Sequence, residues 1–229
     1  MVPFRSNLAS ALIALIFLAA SARAAEDFPL LNRWLASQTN VQTWSADVVQ
    51  TRTLKTLAQP LVANGKIWFS APNRFHWELG SPPQTIAIRG SNEMVVLYPK
   101  LKRAERYPLD KMAGGPMRDL MTLIDAGFPR TRADLDAEFK VLGVEEKSSL
   151  GEIRLQPKSA AARKLMPELR IVIDPKESHP RATEMHFADG STMRNDFTNI
   201  VVNPKIDASV FDTTPPGEFK ITEPFAQGK

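Results

Sequence analysis

The stretch that most constrains the fold is residues 64–98, which consists of four short apolar runs separated by turn signals. β-branched and aromatic residues fill the runs, and Gly, Pro, Asn and Ser stand between them. This arrangement is typical of an antiparallel meander. We predict four consecutive strands at residues 65–70, 74–79, 84–89 and 93–98.

Side chains alternate within these predicted strands, so one face of the meander collects apolar residues. In the second strand Phe75, Trp77 and Leu79 alternate with polar neighbours. We predict that the apolar face continues through all four strands and comprises Ile67, Phe69, Phe75, Trp77, Leu79, Ile86, Ile88 and Leu97. The meander supplies no cover for this face, so a second sheet, a helix or an apolar ligand must lie against it.

The rest of the chain adds predicted strands and a few short helices. Apolar spacing predicts a helix at residues 28–37, and residues 159–166 are either a short helix or a loop excursion. The remaining predicted strands are residues 41–53, 100–107, 140–146, 151–157, 169–174, 182–188 and 192–202. No internal repeat and no linker divides the chain, so we expect one domain over residues 25–229. The predicted fold class is mainly β (α+β): one strongly curved antiparallel sheet with helices on one side.

Residues 110–130 differ from their surroundings. Gly114 and Gly115 form a hinge-like pair, and an apolar helical stripe follows. The stripe consists of Met117, Leu120, Met121 and Ile124. Two interpretations stand: an ordinary core helix, or a lid over a site that accepts varied apolar ligands, because methionine adapts its shape easily.

The N-terminus has the features of a secretory signal peptide. Arg5 precedes an apolar run at residues 8–20 that is short for a membrane span, and Ala22-Arg23-Ala24 supplies a small-x-small cleavage site. We therefore expect residues 1–24 to be removed. This removal takes away Arg5 and Arg23 and lowers the formal charge from +4 to +2. So small a charge argues against a nucleic-acid-binding protein.

The chain contains no cysteine. A secreted protein of this length can do without disulfides, because its core is large enough to hold it together. An N-terminal lipid-modified cysteine is also excluded, which leaves a freely diffusing species. These features together predict the periplasm of a Gram-negative bacterium.

No motif for catalysis or metal binding emerges. The three histidines, His76, His179 and His186, have no metal-ligand spacing, and no nucleotide-binding or nucleophile-elbow motif is present. His186, Asp189 and Ser191 are close in sequence but flank a predicted hairpin turn. We therefore expect a binding protein without enzymatic activity, metal or cofactor. Two alternatives remain: a periplasmic enzyme acting on an envelope lipid or glycan, and a structural module of an envelope complex.

One segment is rich in positive charge. Its basic residues are Lys100, Lys102, Arg103 and Arg106. The segment is either a solvated strand face or a docking patch for an acidic partner or anionic head groups at a membrane surface.

Several motifs resemble those of the outer-membrane lipoprotein carrier (LolA-type) family. They are Gly65-Lys66-Ile67-Trp68-Phe69, Pro72-Asn73-Arg74-Phe75-His76-Trp77, Leu97-Tyr98-Pro99, the segment from Trp44 to Gln50, Leu155-Gln156-Pro157, and Phe211-Asp212-Thr213-Thr214-Pro215-Pro216-Gly217. Each is weak alone, but their order and spacing are specific, and they run from the first helix almost to the C-terminus.

The resemblance implies a half-open β-barrel with short helices as a lid over an apolar cavity. It also implies a soluble, monomeric periplasmic chaperone that shields the acyl chains of lipoproteins, or of a related exported lipid, during outer-membrane biogenesis. An inner-membrane exporter and an outer-membrane receptor are the implied partners, with transient contact to membrane surfaces. The family carries an arginine before the proline that Pro72 matches, and this chain has Ala71 there. Arg74 and Arg89 are candidates to replace it.

Overall fold

The computed structural model describes residues 27–110, 131–147, 149–177 and 179–224. The predicted signal peptide, residues 1–24, lies outside the described residues. The predicted lid residues Met117, Leu120, Met121 and Ile124 also lie outside them.

Twelve strands and three α-helices make up the described part of the chain. The helices are α1 (Pro29–Gln38), α2 (Arg132–Glu138) and α3 (Ala160–Leu165), with 3₁₀ turns at Pro99–Leu101 and Ala208–Phe211. The strands are β1 (Thr43–Thr53), β2 (Leu61–Ser70), β3 (Arg74–Leu79), β4 (Thr85–Arg89), β5 (Glu93–Tyr98), β6 (Arg103–Pro108), β7 (Phe139–Lys147), β8 (Leu150–Pro157), β9 (Glu168–Ile173), β10 (Pro180–His186), β11 (Thr192–Val202) and β12 (Lys220–Thr222).

All twelve strands belong to one open sheet with the order β12-β6-β5-β4-β3-β2-β1-β11-β10-β9-β8-β7. Strand β1 lies in the middle, where it pairs with β2 on one side and with β11 on the other. Every neighbouring pair is antiparallel except β12 and β6, which are parallel. Strands β1 to β6 thus form one half of the sheet and β7 to β11 the other, and the halves meet at β1 and β11. Strand β12 returns from the C-terminal end of the chain to pair with β6. The predicted fold class, one curved and mainly antiparallel sheet with short helices, is confirmed.

The predicted meander is confirmed, with small shifts at its ends. Strand β2 begins at Leu61, four residues earlier than predicted, because its first part pairs with β1 before β3 joins it. Strand β6 begins only at Arg103, because the chain makes a 3₁₀ turn and Lys102 adopts a left-handed conformation (φ 47°). Strand β12, near the C-terminus, is not among the predicted strands. At three residues, β12 is too short for alternation to reveal it.

The two faces of the sheet differ in their cover. We call the face that carries Trp44, Ile67 and Phe75 the inner face. Helix α1 packs on this same face in the second half of the sheet, against strands β8, β9 and β10. The stripe Leu30, Leu31, Trp34 and Leu35 of α1 is buried there, as its helical spacing predicts.

Part of the predicted apolar face is wrong. Trp77 pairs with Ala87 and Phe75 pairs with Arg89, so it is Ala87 and Arg89 that share the inner face with β3. Ile86, Ile88 and Leu97 lie on the opposite, outer face, where Ile86 pairs with Leu97. Alternation gives the period of each strand, whereas the length of the turn sets the phase between two strands. Five residues separate Leu79 from its partner Thr85, so odd-numbered residues face inward on both strands.

A close backbone approach at Gly65 offers a test of the β2–β3 pairing. A Cβ atom added at Gly65 would lie 1.8 Å from the carbonyl oxygen of Glu78, which is backbone and cannot move aside. We expect Gly65→Ala to lower the free energy of unfolding by at least about 2 kcal/mol, in the range of overpacked sites. Urea denaturation of the variant and the wild-type protein measures this difference in the free energy of unfolding.

Gly217→Ala is the matched control, because a Cβ atom at Gly217 meets nothing within 4 Å. An unchanged urea midpoint for Gly65→Ala would show that β2 and β3 do not pair as described.

Candidate functional site

The inner face of the first half of the sheet carries a dense apolar cluster, which we call the meander cluster. Its buried members are Trp44, Ala46, Val48, Ile67, Phe69, Phe75, Met94, Tyr107 and Phe197, and the partly buried Trp77, Leu79, Ala87 and Val96 pack against them. The ring of Trp44 meets that of Phe197 edge-on at a centroid distance of 5.6 Å, and Trp77 meets Phe197 at 6.2 Å. Such edge-to-face contacts add to the free energy gained from burial alone.

Five of the eight predicted apolar site residues lie in or against this cluster, namely Ile67, Phe69, Phe75, Trp77 and Leu79. The other three, Ile86, Ile88 and Leu97, belong to a separate cluster on the outer face with Val95 and Ala104, against which Phe219 packs. Sequence reasoning missed Phe197 and Met94 as members of the site. Phe197 reaches the meander cluster through the pairing of β11 with β1, which no local pattern reveals. Met94 lies in a predicted strand, but the prediction placed the opposite face of that strand inward.

The cover of the inner face differs between the two halves of the sheet. In the second half, α1 and α2 contribute Leu31, Trp34 and Leu135 to a closed core. In the meander cluster, by contrast, no member comes from any helix of the described residues. Among the described residues, the two halves of the inner face therefore differ in whether helices contribute to their apolar clusters.

A row of polar side chains crosses the inner face between the two apolar clusters, and we call it the amide row. Gln50 donates from Nε2 to Oδ1 of Asn195 at 3.0 Å, and Asn195 donates from Nδ2 to Oγ1 of Thr183 at 3.1 Å. The three residues lie on the neighbouring strands β1, β11 and β10, directly across from one another. Asn195 is only 1 % exposed and Gln50 is half-buried. Buried amides are stable there because they satisfy one another.

A second polar group lies on the inner face at the other end of the meander. The hydroxyl of Tyr107 donates to Oε2 of Glu105 at 2.8 Å, and the hydroxyl of Tyr98 donates to the same oxygen at 3.2 Å. Arg103 pairs with Glu105 and lies over the ring of Tyr98. Burial raises the pKa of both tyrosines, and the hydrogen bond and negative charge of Glu105 raise it further.

The predicted basic segment is largely neutralised by ion pairs. Lys102 pairs with Glu218, and Arg106 pairs with Glu93. A third pair joins Arg103 to Glu105, so three of the four basic side chains have an acidic partner. A segment paired in this way attracts an anionic surface weakly, which favours the interpretation as a solvated strand face.

His186, Asp189 and Ser191, which are close in sequence, lie at the hairpin between β10 and β11, as predicted. Oδ1 of Asp189 accepts hydrogen bonds from the backbone N and the hydroxyl of Ser191, at 2.8 and 2.6 Å. His186 pairs instead with Glu184, through a 2.7 Å contact. In a catalytic triad the serine hydroxyl is hydrogen-bonded to the imidazole, whereas the hydroxyl of Ser191 is hydrogen-bonded to the carboxylate of Asp189. These three residues therefore do not form a triad. Within the described ranges, no group of three or more potential ligands could hold a metal ion.

Comparison with known proteins places these features in a family. Residues 39–214 match the family model "Outer membrane lipoprotein carrier protein LolA". The chain belongs to this family. Two proteins named outer-membrane lipoprotein carrier protein, from Bordetella avium and Chromohalobacter salexigens, are each 26 % identical to it, over 153 and 151 residues. The matches cover 67 % and 65 % of this chain, and 68 % and 65 % of the relatives.

The fold of this LolA-family chain also recurs in a solved structure. An uncharacterized conserved protein from Thermus thermophilus superposes with a TM-score of 0.50, covering 85 % of this chain and 96 % of that one. The two are 9 % identical, so the likeness concerns the fold alone. Among the described residues of the present chain, no helix is long and apolar enough to cross a membrane.

The raised tyrosine pKa values predict an unusual alkaline titration. The chain has two tyrosines, and the pKa of each is raised above 10, the ordinary value of the side chain. We therefore expect less tyrosinate absorbance near 295 nm at pH 10 in the folded protein than in the urea-unfolded protein at the same pH.

The sign of the effect on stability follows from the same shift. A pKa raised by folding contributes stability that is present below pH 10 and is lost as the pH rises toward the folded-state value. Unfolding free energies measured between pH 9 and pH 11 should fall. A midpoint at pH 10 in the folded protein would contradict the described environment of Tyr98 and Tyr107.

Proposed function

We propose that this protein is a periplasmic carrier that shields the acyl chains of lipoproteins between the inner and outer membranes. The observation that carries the proposal is the meander cluster, a broad group of aromatic and aliphatic side chains on the inner face of the first half of the sheet. Membership of the LolA family supports it, since the two named relatives are outer-membrane lipoprotein carrier proteins.

The binding surface in this proposal is larger than the predicted one and lies on one face only. It comprises the predicted residues Ile67, Phe69, Phe75, Trp77 and Leu79, and in addition Trp44, Val48, Met94 and Phe197. Ile86, Ile88 and Leu97 have no part in it, since the C-terminal segment with Phe219 covers them on the outer face.

The hydrophobic effect gives such a surface its use. Each methylene of an acyl chain gains about 0.8 kcal/mol on leaving water, so a chain of sixteen carbons gains on the order of 10 kcal/mol. Lipids therefore cross an aqueous compartment slowly unless an apolar surface replaces the membrane. The cargo must also be released, so the affinity has to stay far below that of the tightest complexes.

Other parts of the proposal concern residues outside the described ranges and partners. Residues 1–24 direct secretion to the periplasm and are removed, and the stripe of Met117, Leu120, Met121 and Ile124 covers the bound chains. A monomeric carrier of this kind receives its cargo from an inner-membrane exporter, delivers it to an outer-membrane receptor, and requires no catalytic chemistry. Transient contact with a membrane surface accompanies these exchanges.

A pair of tryptophans on opposite faces tests the proposed surface. Trp77 lies on the inner face in β3, and Trp68 lies on the outer face in β2, beside His76. Both are half-buried, so the same substitution removes a similar side chain from each face. We expect Trp77→Ser to weaken binding of an acylated lipopeptide by roughly 10- to 100-fold, the equivalent of losing about 1.5–3 kcal/mol of apolar contact.

Trp68→Ser should bind the lipopeptide like the wild type. Binding is measured by isothermal titration calorimetry, with circular dichroism to verify that both variants are folded. An equal loss in the two folded variants would show that the inner face is not the binding surface, and unchanged binding by Trp77→Ser would contradict the proposal outright.

A further inference from the structure

The inner-face residues of β1 change character along the strand. Trp44, Ala46 and Val48 are buried in the meander cluster, Gln50 follows as part of the amide row, and Arg52 is exposed at the end of the strand. The inner face thus passes from aromatic to amide to cationic in one direction. An amphiphile has the same order of parts: a hydrocarbon tail, a carbonyl linkage and a polar head.

The spacing along β1 suits an acyl chain. Trp44 and Gln50 are six residues apart, which at about 3.3 Å per residue is roughly 20 Å, the reach of a long acyl chain. A tail that lies along this length on the meander cluster brings its carbonyl group to the amide row. Such a carbonyl loses its hydrogen bonds to water on entering, which costs free energy unless the protein supplies a donor.

The side-chain amide of Gln50 can donate a hydrogen bond to a ligand. A primary amide carries two N–H groups, and one of those on Nε2 is engaged with Oδ1 of Asn195. That contact is the one hydrogen bond of the Gln50 side chain within the described part of the protein. Asn195 is too deeply buried to reach a ligand, and it is fixed in turn by Thr183. Asn195 and Thr183 are therefore positioning residues, and half-buried Gln50 is the group that can touch the cargo.

We propose that Gln50 donates its second Nε2 hydrogen to the carbonyl oxygen of an acyl ester or acyl amide on the bound cargo. The tail then lies on the meander cluster toward Trp44, and the polar head lies at the end of β1 marked by Arg52. This inference rests on the proposed carrier function and deepens it, since it makes the acyl carbonyl, and not the hydrocarbon alone, a recognised part of the ligand.

Two lysophospholipids that differ only in the linkage of the hydrocarbon chain test this inference. 1-Palmitoyl-lysophosphatidylcholine has an ester carbonyl, and 1-O-hexadecyl-lysophosphatidylcholine has an ether in its place. We expect the wild-type protein to bind the ester about three- to tenfold more tightly, which is the worth of one net hydrogen bond. Gln50→Leu should bind both lipids equally, with the affinity of the wild type for the ether. Titrations below the critical micelle concentration, followed by tryptophan fluorescence, measure the ratio.

Thr51→Val is the matched control, because it replaces a polar side chain on the outer face of the same strand and should keep the ester preference. A ratio that persists in folded Gln50→Leu, or is absent from the wild type while both lipids bind, would overturn the inference and leave the carrier function standing. If the wild-type protein binds neither lipid, the proposed function fails and the inference fails with it.

Discussion

The structure depends on the pairing of β1 with its two neighbours in the middle of the sheet. Strand β1 pairs with β2 from Thr43 to Arg52 and with β11 almost along its whole length, and these ladders join the first half of the chain to the second. Without them, two smaller sheets would each expose an apolar face. Because side chains on paired residues share a face, the same ladders carry the inner face across the sheet from β6 to β8. The meander cluster, the amide row and the hydrogen-bonded group around Glu105 all lie on this inner face.

Among the described residues, helices contribute to the apolar cluster on one half of the inner face and not to the cluster on the other half. Helix α1 buries Leu31 and Trp34 against the second half and completes an ordinary core there. In the first half, Trp44, Phe75 and Phe197 are buried in a cluster to which no helix of the described residues contributes. Between them, the amide row interrupts the apolar surface. A fold that only needed stability would fill that row with aliphatic side chains, because buried polar groups add little net stability even when they are satisfied.

The sequence predicts much of this arrangement and misses a defined part. Alternation and turn residues are local signals, so the four strands of the meander and the buried stripe of α1 are correct within a few residues. The phase between strands depends on turn length, and for this reason Ile86, Ile88 and Leu97 were assigned to the wrong face. Phe197 and Asn195 were not recognised because they reach the site by pairing with distant residues of β1, Asn195 with one that lies 145 positions earlier in the chain. Long-range register is tertiary information that no window of sequence contains.

We propose that the inner face of the meander carries acyl chains in the periplasm. Native mass spectrometry of the mature protein, purified from the periplasm of its own bacterium, is the decisive experiment when the same sample is extracted for lipids. We expect a monomer lacking residues 1–24, and a fraction of the molecules should carry a lipoprotein or an acylated lipid that organic solvent releases. A protein that arrives without any acylated species, and that takes up none from added lipopeptide, would contradict this proposal.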